Sequence, residues 1–130
     1  GTNIREWIYV RDNCEALLKI FKRGKIGNNY NVGSGIRIKN IDIIKQISKI
    51  AKKHKLINKN KVLIKFVKDR PGHDKRYAIN SNKIKKELKW KCKTPLIQGL
   101  EKTFNWYLNN KNFFKQISKR NISKRFGLKI

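Results

Sequence analysis

The sequence is poor in acidic residues, has no methionine and contains two prolines and two cysteines. No apolar run is long enough to cross a bilayer, and no segment has the pattern of a signal peptide. Cys14 and Cys92 match no metal-ligand spacing. We therefore expect free thiols, no metal site, no membrane attachment and a cytoplasmic location, where thiols stay reduced.

The shortage of acids leaves a large basic excess. Eight Asp and Glu residues stand against 34 Lys and Arg, so the formal net charge of the 130 residues is +26. Such a charge attracts nucleic acid non-specifically. The basic residues are nevertheless spread along the chain with Ile and Asn, which favours a compositional bias over a dedicated nucleic-acid interface. A basic nucleic-acid-binding module remains an alternative, and it predicts tight binding that falls steeply with salt.

Two motifs of dinucleotide enzymes have no convincing counterpart. The sequence contains no Gly-x-x-Gly-x-x-Gly loop, and Gly33-Ser34-Gly35 is too short to cradle a phosphate. One Tyr-x-x-x-Lys match, Tyr107 with Lys111, falls on a late amphipathic helix and is interpreted as coincidence. We therefore predict neither catalytic nor cofactor-binding residues in this chain.

Hydrophobic periodicity predicts an α/β chain that is mostly helical with a few short strands. Asp12 is expected to cap the first helix, which Gly24 and Gly27 end, and Asn80 or Ser81 to cap the third. Strands are predicted at 4–10, 30–33, 62–67 and 77–79, and the other helices at 41–54, from about 82 to 88 and at 96–108. Apolar positions predicted to face inward are Ala16, Leu17, Ile20, Phe21, Ile43, Ile44, Ile47, Ile50, Ala51, Trp90, Leu100, Phe104 and Tyr107.

The most unusual stretch of the sequence is Asp69-Arg70-Pro71-Gly72-His73-Asp74-Lys75-Arg76-Tyr77. The proline fixes its own φ and favours an extended residue before it, while the glycine permits a bend. Arginines offer forked donors suited to phosphate or carboxylate. The residues alone leave two interpretations open, an anion-binding loop and a solvated polar turn.

This stretch resembles the C-terminal signature of the dTDP-glucose 4,6-dehydratase family, extended short-chain dehydrogenases that act on nucleotide sugars. Further segments before and after this stretch also resemble the family. They occur in the family's order and together cover the chain from Gly1 to about Phe114. These segments are Ile4-Arg5-Glu6-Trp7-Ile8-Tyr9-Val10 with Asp12, Tyr30-Asn31-Val32-Gly33, Lys39-Asn40-Ile41-Asp42, Arg76-Tyr77-Ala78-Ile79, Leu88-Lys89-Trp90-Lys91, Gly99-Leu100 and Thr103-Phe104-Asn105-Trp106-Tyr107.

The resemblance implies an α/β fold class, namely the C-terminal substrate-binding portion of an extended short-chain dehydrogenase without its N-terminal Rossmann core. Residues 1–115 would form the nucleotide-sugar-binding portion, and residues 116–130 a basic, weakly ordered tail.

The resemblance also implies a cofactor and partners. NAD would be bound by the missing N-terminal half, and the partners would be that half, a nucleotide sugar and, in the family, a second subunit of a homodimer. The family makes a 4-keto-6-deoxy sugar; this chain alone is expected to be inactive. A related epimerase or dehydratase is the alternative.

The resemblance also implies the site residues. Arg5 and Arg70 match the family's substrate-binding arginines, and Asn40 matches a substrate-contacting asparagine. Local alternatives are a strand-end surface charge for Arg5 and a helix N-cap for Asn40. His73 could act as a general acid, but a structural role is preferred. We expect Arg5, Asn40 and Arg70 to converge on one concave face. The implied substrate-binding residues are Arg5, Asn40, Asp69, Arg70, Pro71, Gly72 and His73.

Overall fold

The computed structural model describes residues 1–56, 62, 64–69 and 71–115, and these form a mostly helical α/β fragment. The helices predicted at 41–54, near 82–88 and at 96–108 are confirmed within one residue at each end. The elements are β1 (Ile4–Glu6), α1 (Val10–Arg23), β2 (Arg37–Lys39), α2 (Asn40–Lys53), α3 (Asn82–Leu88), α4 (Leu96–Asn109) and α5 (Asn112–Lys115). In the part of the chain so described, no helix is long and apolar enough to span a membrane.

Strand β1 lies between two other segments. On one side it pairs antiparallel with β2, with Arg5 opposite Ile38. On the other side Arg76 forms an isolated parallel bridge with Ile4. The Ile4 N–H donates to the Lys75 carbonyl at 2.8 Å, and the Tyr77 N–H donates to the Ile4 carbonyl at 3.0 Å. This pairing holds the stretch that contains His73 against the N-terminal strand.

Several predicted strands are wrong. The first ends at Glu6, and residues 30–33, 64–67 and 77–79 are not strands, while β2 was not predicted. A strand needs a hydrogen-bonded neighbour, and an alternating pattern does not show whether one exists. Tyr30 and Val32 pack on the core instead. Phe66 and Val67 are exposed.

The main core lies between α1, α3 and the residues after α3. Ala16 and Ile84 are fully buried, and Leu88 and Trp90 nearly so. The prediction that Trp90 packs against the third helix is therefore confirmed. Ser81 occupies the N-cap position of that helix but its side chain makes no capping hydrogen bond; the Asn80 side-chain oxygen accepts the Asn82 N–H at 3.0 Å.

Four residues predicted to face inward are exposed. Leu17 is 55%, Phe21 87%, Ile44 43% and Tyr107 40% exposed. On α1 the buried side runs through Ala16 and Ile20, and each next residue lies about 100° further around the helix. Among the described residues, these apolar faces of α1 and α4 therefore remain largely uncovered.

Asp12 does not cap α1. Tyr9 holds the N-cap position, and Asp12 is buried in the first turn. Its Oδ2 accepts the Thr94 N–H at 2.9 Å and the Cys92 thiol at 3.2 Å, so it joins α1 to the segment before α4.

Burial raises the pKa of Asp12, but the hydrogen bonds from Thr94 and Cys92 outweigh burial and leave this pKa below its ordinary value. Burial, then the Asp12 carboxylate, raises the pKa of the Cys92 thiol to about 11. Both cysteines are free thiols, as predicted.

Candidate functional site

The candidate site forms where the loop after Asp69 returns to β1. Gly72 has a φ of +68°, a left-handed conformation that residues with a Cβ rarely adopt. With Pro71 it makes the turn between Asp69 and His73. The local sequence therefore brings these two side chains together, and the bridge at Arg76 presents both to the N-terminal strand.

His73 connects a carboxylate to an arginine. Its Nδ1 contacts Asp69 Oδ1 in a short hydrogen bond. Its Nε2 lies 2.7 Å from Arg5 Nη2. An arginine can only donate, so Nε2 is the acceptor and Nδ1 carries the proton that is donated to Asp69. In this arrangement His73 donates through Nδ1 and accepts through Nε2.

The remaining contacts of Arg5 fix its guanidinium. Nη2 donates to the Asp74 carbonyl at 2.8 Å, and Nη1 donates to the Ile4 carbonyl at 2.8 Å. The guanidinium carbon lies 4.4 Å from the centre of the Tyr77 ring, a cation–π contact. The Tyr77 hydroxyl in turn donates to Asp74 Oδ2. The Nε–H and one Nη1–H of Arg5 have no acceptor among the described residues; these two groups point in different directions, so each is a separate donor for a ligand.

A hollow of about 390 Å³ adjoins this network, between the N-terminal segment and the start of α2. Asn40, Asp69 and His73 line it, whereas Arg5 contacts His73 and is not part of the lining. Lys39 is the N-cap of α2 and Asn40 is its first residue, so the N-cap interpretation of Asn40 is wrong. Arg5 is half-buried and bonded on several sides, which overturns the surface-charge interpretation.

The predicted site residues thus fall into groups. Asn40, Asp69 and His73 share one hollow, Pro71 and Gly72 form the turn, and Arg5 contacts His73. Arg70 lies outside the described residues. Their roles in binding substrate remain predictions. Among the residues described, no group of three or more His, Cys, Asp or Glu side chains is arranged to hold a metal.

Sequence reasoning missed two residues of this network, Asn3 and Tyr77. The Asn3 amide nitrogen donates to Asp69 Oδ2 at 3.1 Å and more weakly to the Asp74 carbonyl at 3.4 Å. These partners are 66 and 71 positions away along the chain. The signal that could have found them is the pairing of β1 with residues 75–77, which no local pattern shows.

Glu6 stabilises the opposite side of the sheet. Its side chain is 4% exposed and lies 3.7 Å from Arg37 Nε. Its carboxylate accepts the Gly35 N–H at 2.7 Å and the Ile79 N–H at 3.1 Å. A Cβ at position 33 would collide with Glu6 Oε1, so a larger residue there would have to displace the Glu6 carboxylate from its hydrogen bonds. Glu6 therefore holds β1, the turn before β2 and the chain after Tyr77 together.

A second, apolar hollow of about 550 Å³ lies between the chain after β1 and α4. It is lined in part by Trp7, Tyr9, Leu96, Leu100 and Trp106. Trp7 Nε1 is buried and has no hydrogen-bond partner among the described residues. The hollow adjoins a cluster of half-exposed aromatic rings, with the Trp106 and Tyr107 centroids 5.1 Å apart. Tyr107 therefore belongs to an aromatic face, and Lys111 lies beyond the end of α4.

The described residues do not fit a dinucleotide cofactor by themselves. Binding of NAD in this class of fold uses a parallel βαβ unit with a glycine-rich turn. The sheet described here is two-stranded and antiparallel, and the sequence has no such glycine-rich turn.

Comparison with known proteins gives the class and then the family. A dTDP-glucose 4,6-dehydratase from Bacillus anthracis, solved in complex with NAD, superposes with a TM-score of 0.78 at 36% identity, over 91% of this chain and 35% of that one. The fold is thus that of a portion of an extended short-chain dehydrogenase. A family profile described as GDP-mannose 4,6 dehydratase matches residues 1–103. The chain belongs to this dehydratase family.

Curated relatives agree with this assignment. A dTDP-glucose 4,6-dehydratase from Escherichia coli is 42% identical over 122 residues, which are 90% of this chain and 34% of the relative. A probable dTDP-glucose 4,6-dehydratase from Sinorhizobium fredii is 43% identical over 114 residues, 85% of this chain and 32% of the relative. The chain therefore spans about a third of the length of the relatives it matches. The resemblance and the fold class predicted from the sequence are confirmed.

Proposed function

We propose that this chain is the nucleotide-sugar-binding portion of a dTDP-glucose 4,6-dehydratase. The observation that carries the proposal is the Arg5–His73–Asp69 network, which adjoins the hollow that Asn40 lines. The relatives that are 42% and 43% identical to this chain are dTDP-glucose 4,6-dehydratases. The proposed role of the chain is to bind and orient the substrate.

The chemistry of the donors supports a diphosphate ligand. The Nε–H and one Nη1–H of Arg5 are available, and each can donate a charge-assisted hydrogen bond to a phosphate oxygen. Asn40 offers an amide that can donate and accept. Arg70, in the same loop, is proposed as a second forked donor from the matching motif. Donors from separate parts of the chain suit an anion that has oxygens on several sides.

The proposal assigns the redox chemistry to other residues of the longer enzyme. NAD supplies the hydride acceptor when it is bound, and the residues described here offer no site for it. We propose that binding of NAD, the catalytic groups and the dimer contact of the family lie in the part of the relatives that this chain does not match. This chain alone would then form no 4-keto product.

The exposed apolar side chains support the proposal that this chain packs against a further large segment, either in the same polypeptide or in another. Phe21 is 87% and Trp106 47% exposed, and the hollow beside Trp7 is mostly apolar. Large apolar side chains that are exposed together on a surface are typical of interaction sites. The proposed neighbour is the dinucleotide-binding part that the relatives carry.

The first prediction compares the chain alone with a chimera in which it replaces the matching third of the Escherichia coli relative. The purified 130 residues should give no 4-keto sugar from dTDP-glucose and NAD, because the dinucleotide loop is absent from the sequence. The chimera should give that product. Arg5→Ala in the chimera should raise KM or lower kcat/KM by at least tenfold, the loss of about 1.4 kcal/mol or more.

The matched control is Arg11→Ala, an exposed arginine on α1 that pairs with Glu15 at 3.4 Å. Turnover by the chain alone would contradict its proposed role. A chimera that folds and binds NAD but does not bind dTDP-glucose would contradict the proposed substrate site.

A further inference from the structure

We infer that Asn3 is a positioning residue that fixes the tautomer of His73 and, through it, the direction of the Arg5 guanidinium. This inference rests on the proposed function, because it deepens the same nucleotide-sugar site.

Asn3 is anchored on two sides. Only 8% of its surface is exposed. Its backbone carbonyl accepts the Asn40 N–H at 3.0 Å, which ties it to the start of α2. Its side-chain amide donates to Asp69 Oδ2 and to the Asp74 carbonyl. Asp69 precedes the turn, and Asp74 directly follows His73. A buried amide with these contacts has little freedom to reorient, since leaving acceptors unpaired costs free energy.

A chain of hydrogen bonds runs from Asn3 through Asp69 and His73 to Arg5, and its donors and acceptors can be arranged in one direction. Asn3 donates to one oxygen of Asp69, and His73 Nδ1–H donates to the other oxygen. This leaves the His73 Nε2 lone pair facing Arg5 Nη2 at 2.7 Å. The opposite tautomer would place two N–H groups against each other. Asn3 therefore holds the carboxylate in the orientation that makes His73 an acceptor for Arg5, and Asp74 supplies the second acceptor.

The test substitutes Asn3 with a residue of the same size. Asn3→Asp places a carboxylate against Asp69, so we expect the Asp69–His73 bond to loosen and the His73 proton to populate Nε2. Long-range ¹⁵N–¹H NMR on the 130-residue chain measures this tautomer directly. A merely structural role would lower the thermal midpoint without changing the tautomer. Asn29→Asp, the same change at an exposed loop residue, is the control and should leave the tautomer as it is.

A double substitution tests the direction of the bond. In Asn3→Asp with Asp69→Asn, the new amide at 69 donates to the carboxylate at 3 and still accepts from His73. The Nδ1-protonated form should therefore return in part, without the contact to the Asp74 carbonyl. If Asn3→Asp alone fails to fold, this double variant still tests whether the tautomer of His73 depends on the hydrogen bond between residues 3 and 69.

Binding of dTDP separates this inference from the proposed function. We expect Asn3→Asp to weaken dTDP binding about tenfold, and the double variant to recover part of that loss. A wild-type chain that shows the Nδ1-protonated His73 but does not bind dTDP would contradict the proposed function and leave the link from Asn3 to His73 standing. A folded Asn3→Asp chain with unchanged tautomer and unchanged dTDP affinity would overturn the inference.

Discussion

At the scale of single residues, some members of the network were suggested by a sequence motif and others are found only in the fold. Arg5, Asp69 and His73 were proposed as site residues because each lies in a segment that resembles the dehydratase signature, and the structure brings these three together. Asn3 could not be predicted, because a lone asparagine before a strand carries no local signal. Its importance arises from acceptors 66 and 71 positions away.

Asp12 gives a prediction about pH at this scale. Its pKa is lowered in the folded chain, so the folded state favours the carboxylate. The stability that it contributes is present above the unfolded pKa, about 3.9, and is lost as pH falls through the lower folded value. At pH 7 Asp12→Asn should cost about 1–2 kcal/mol, the difference between charged and neutral hydrogen bonds over two contacts.

Urea unfolding between pH 7 and pH 2 measures this effect. The difference between wild type and Asp12→Asn should shrink as pH falls below about 4. Asp42→Asn serves as the control, because the Asp42 side chain is 45% exposed and pairs with Lys45 at 3.6 Å. A difference that stays constant down to pH 2 would show that the charge of Asp12 contributes nothing.

At the scale of elements, helices could be predicted and strands could not. The apolar spacing of α2 and α4 depends on residues three and four apart, so the sequence itself contains it. The strands depend on partners more than 30 positions apart, as in the pairing of Arg5 with Ile38. The buried face of α1 was predicted too broadly, because the sequence does not show which apolar residues of a helix pack against its neighbours in the fold.

Glu6 gives the prediction for this scale, since one carboxylate joins three segments. In Glu6→Gln the amide can accept from the Gly35 N–H or the Ile79 N–H, but its NH₂ group then faces the other donor. We expect a loss of roughly 1.5–3 kcal/mol in the free energy of unfolding, as for hydrogen bonds to a charged group.

The matched control is Glu15→Gln on α1. Glu15 is 41% exposed on its side chain and pairs with Arg11 and Lys93 at the surface. Such pairs contribute about 0–1 kcal/mol. Chemical denaturation of both variants at pH 7 provides the comparison. Equal losses would contradict the role given to Glu6.

At the scale of the whole molecule, the net charge of +26 needs an interpretation. Basic residues occupy the last turns of α1, α2 and α3, for example Lys22 and Arg23 on α1. Cations at these positions interact favourably with the helix dipole. Part of the basic excess thus has a structural explanation that requires no nucleic acid.

The corresponding prediction is weak, salt-sensitive binding to nucleic acid. Fluorescence anisotropy with a labelled DNA duplex should show an affinity that falls steeply with salt and is lost near 150 mM, because the contacts are non-specific. A second duplex of unrelated sequence should behave in the same way. A nanomolar, sequence-selective complex at that salt concentration would instead support a dedicated nucleic-acid interface.

The central claim is that this chain binds the diphosphate of a nucleotide sugar beside Arg5, Asn40 and His73. An NMR titration of the isotope-labelled chain with dTDP tests it most directly, with thymidine as the control that lacks the diphosphate. We predict chemical-shift changes at the Arg5 Nε–H, the Asn40 amide, Gly72 and His73 with dTDP and none there with thymidine. Arg5→Ala should weaken binding by roughly 1.5–3 kcal/mol, and Arg5→Lys should restore part of it. Changes confined to the lysines of α1 and α3, in a chain that stays folded, would contradict the claim.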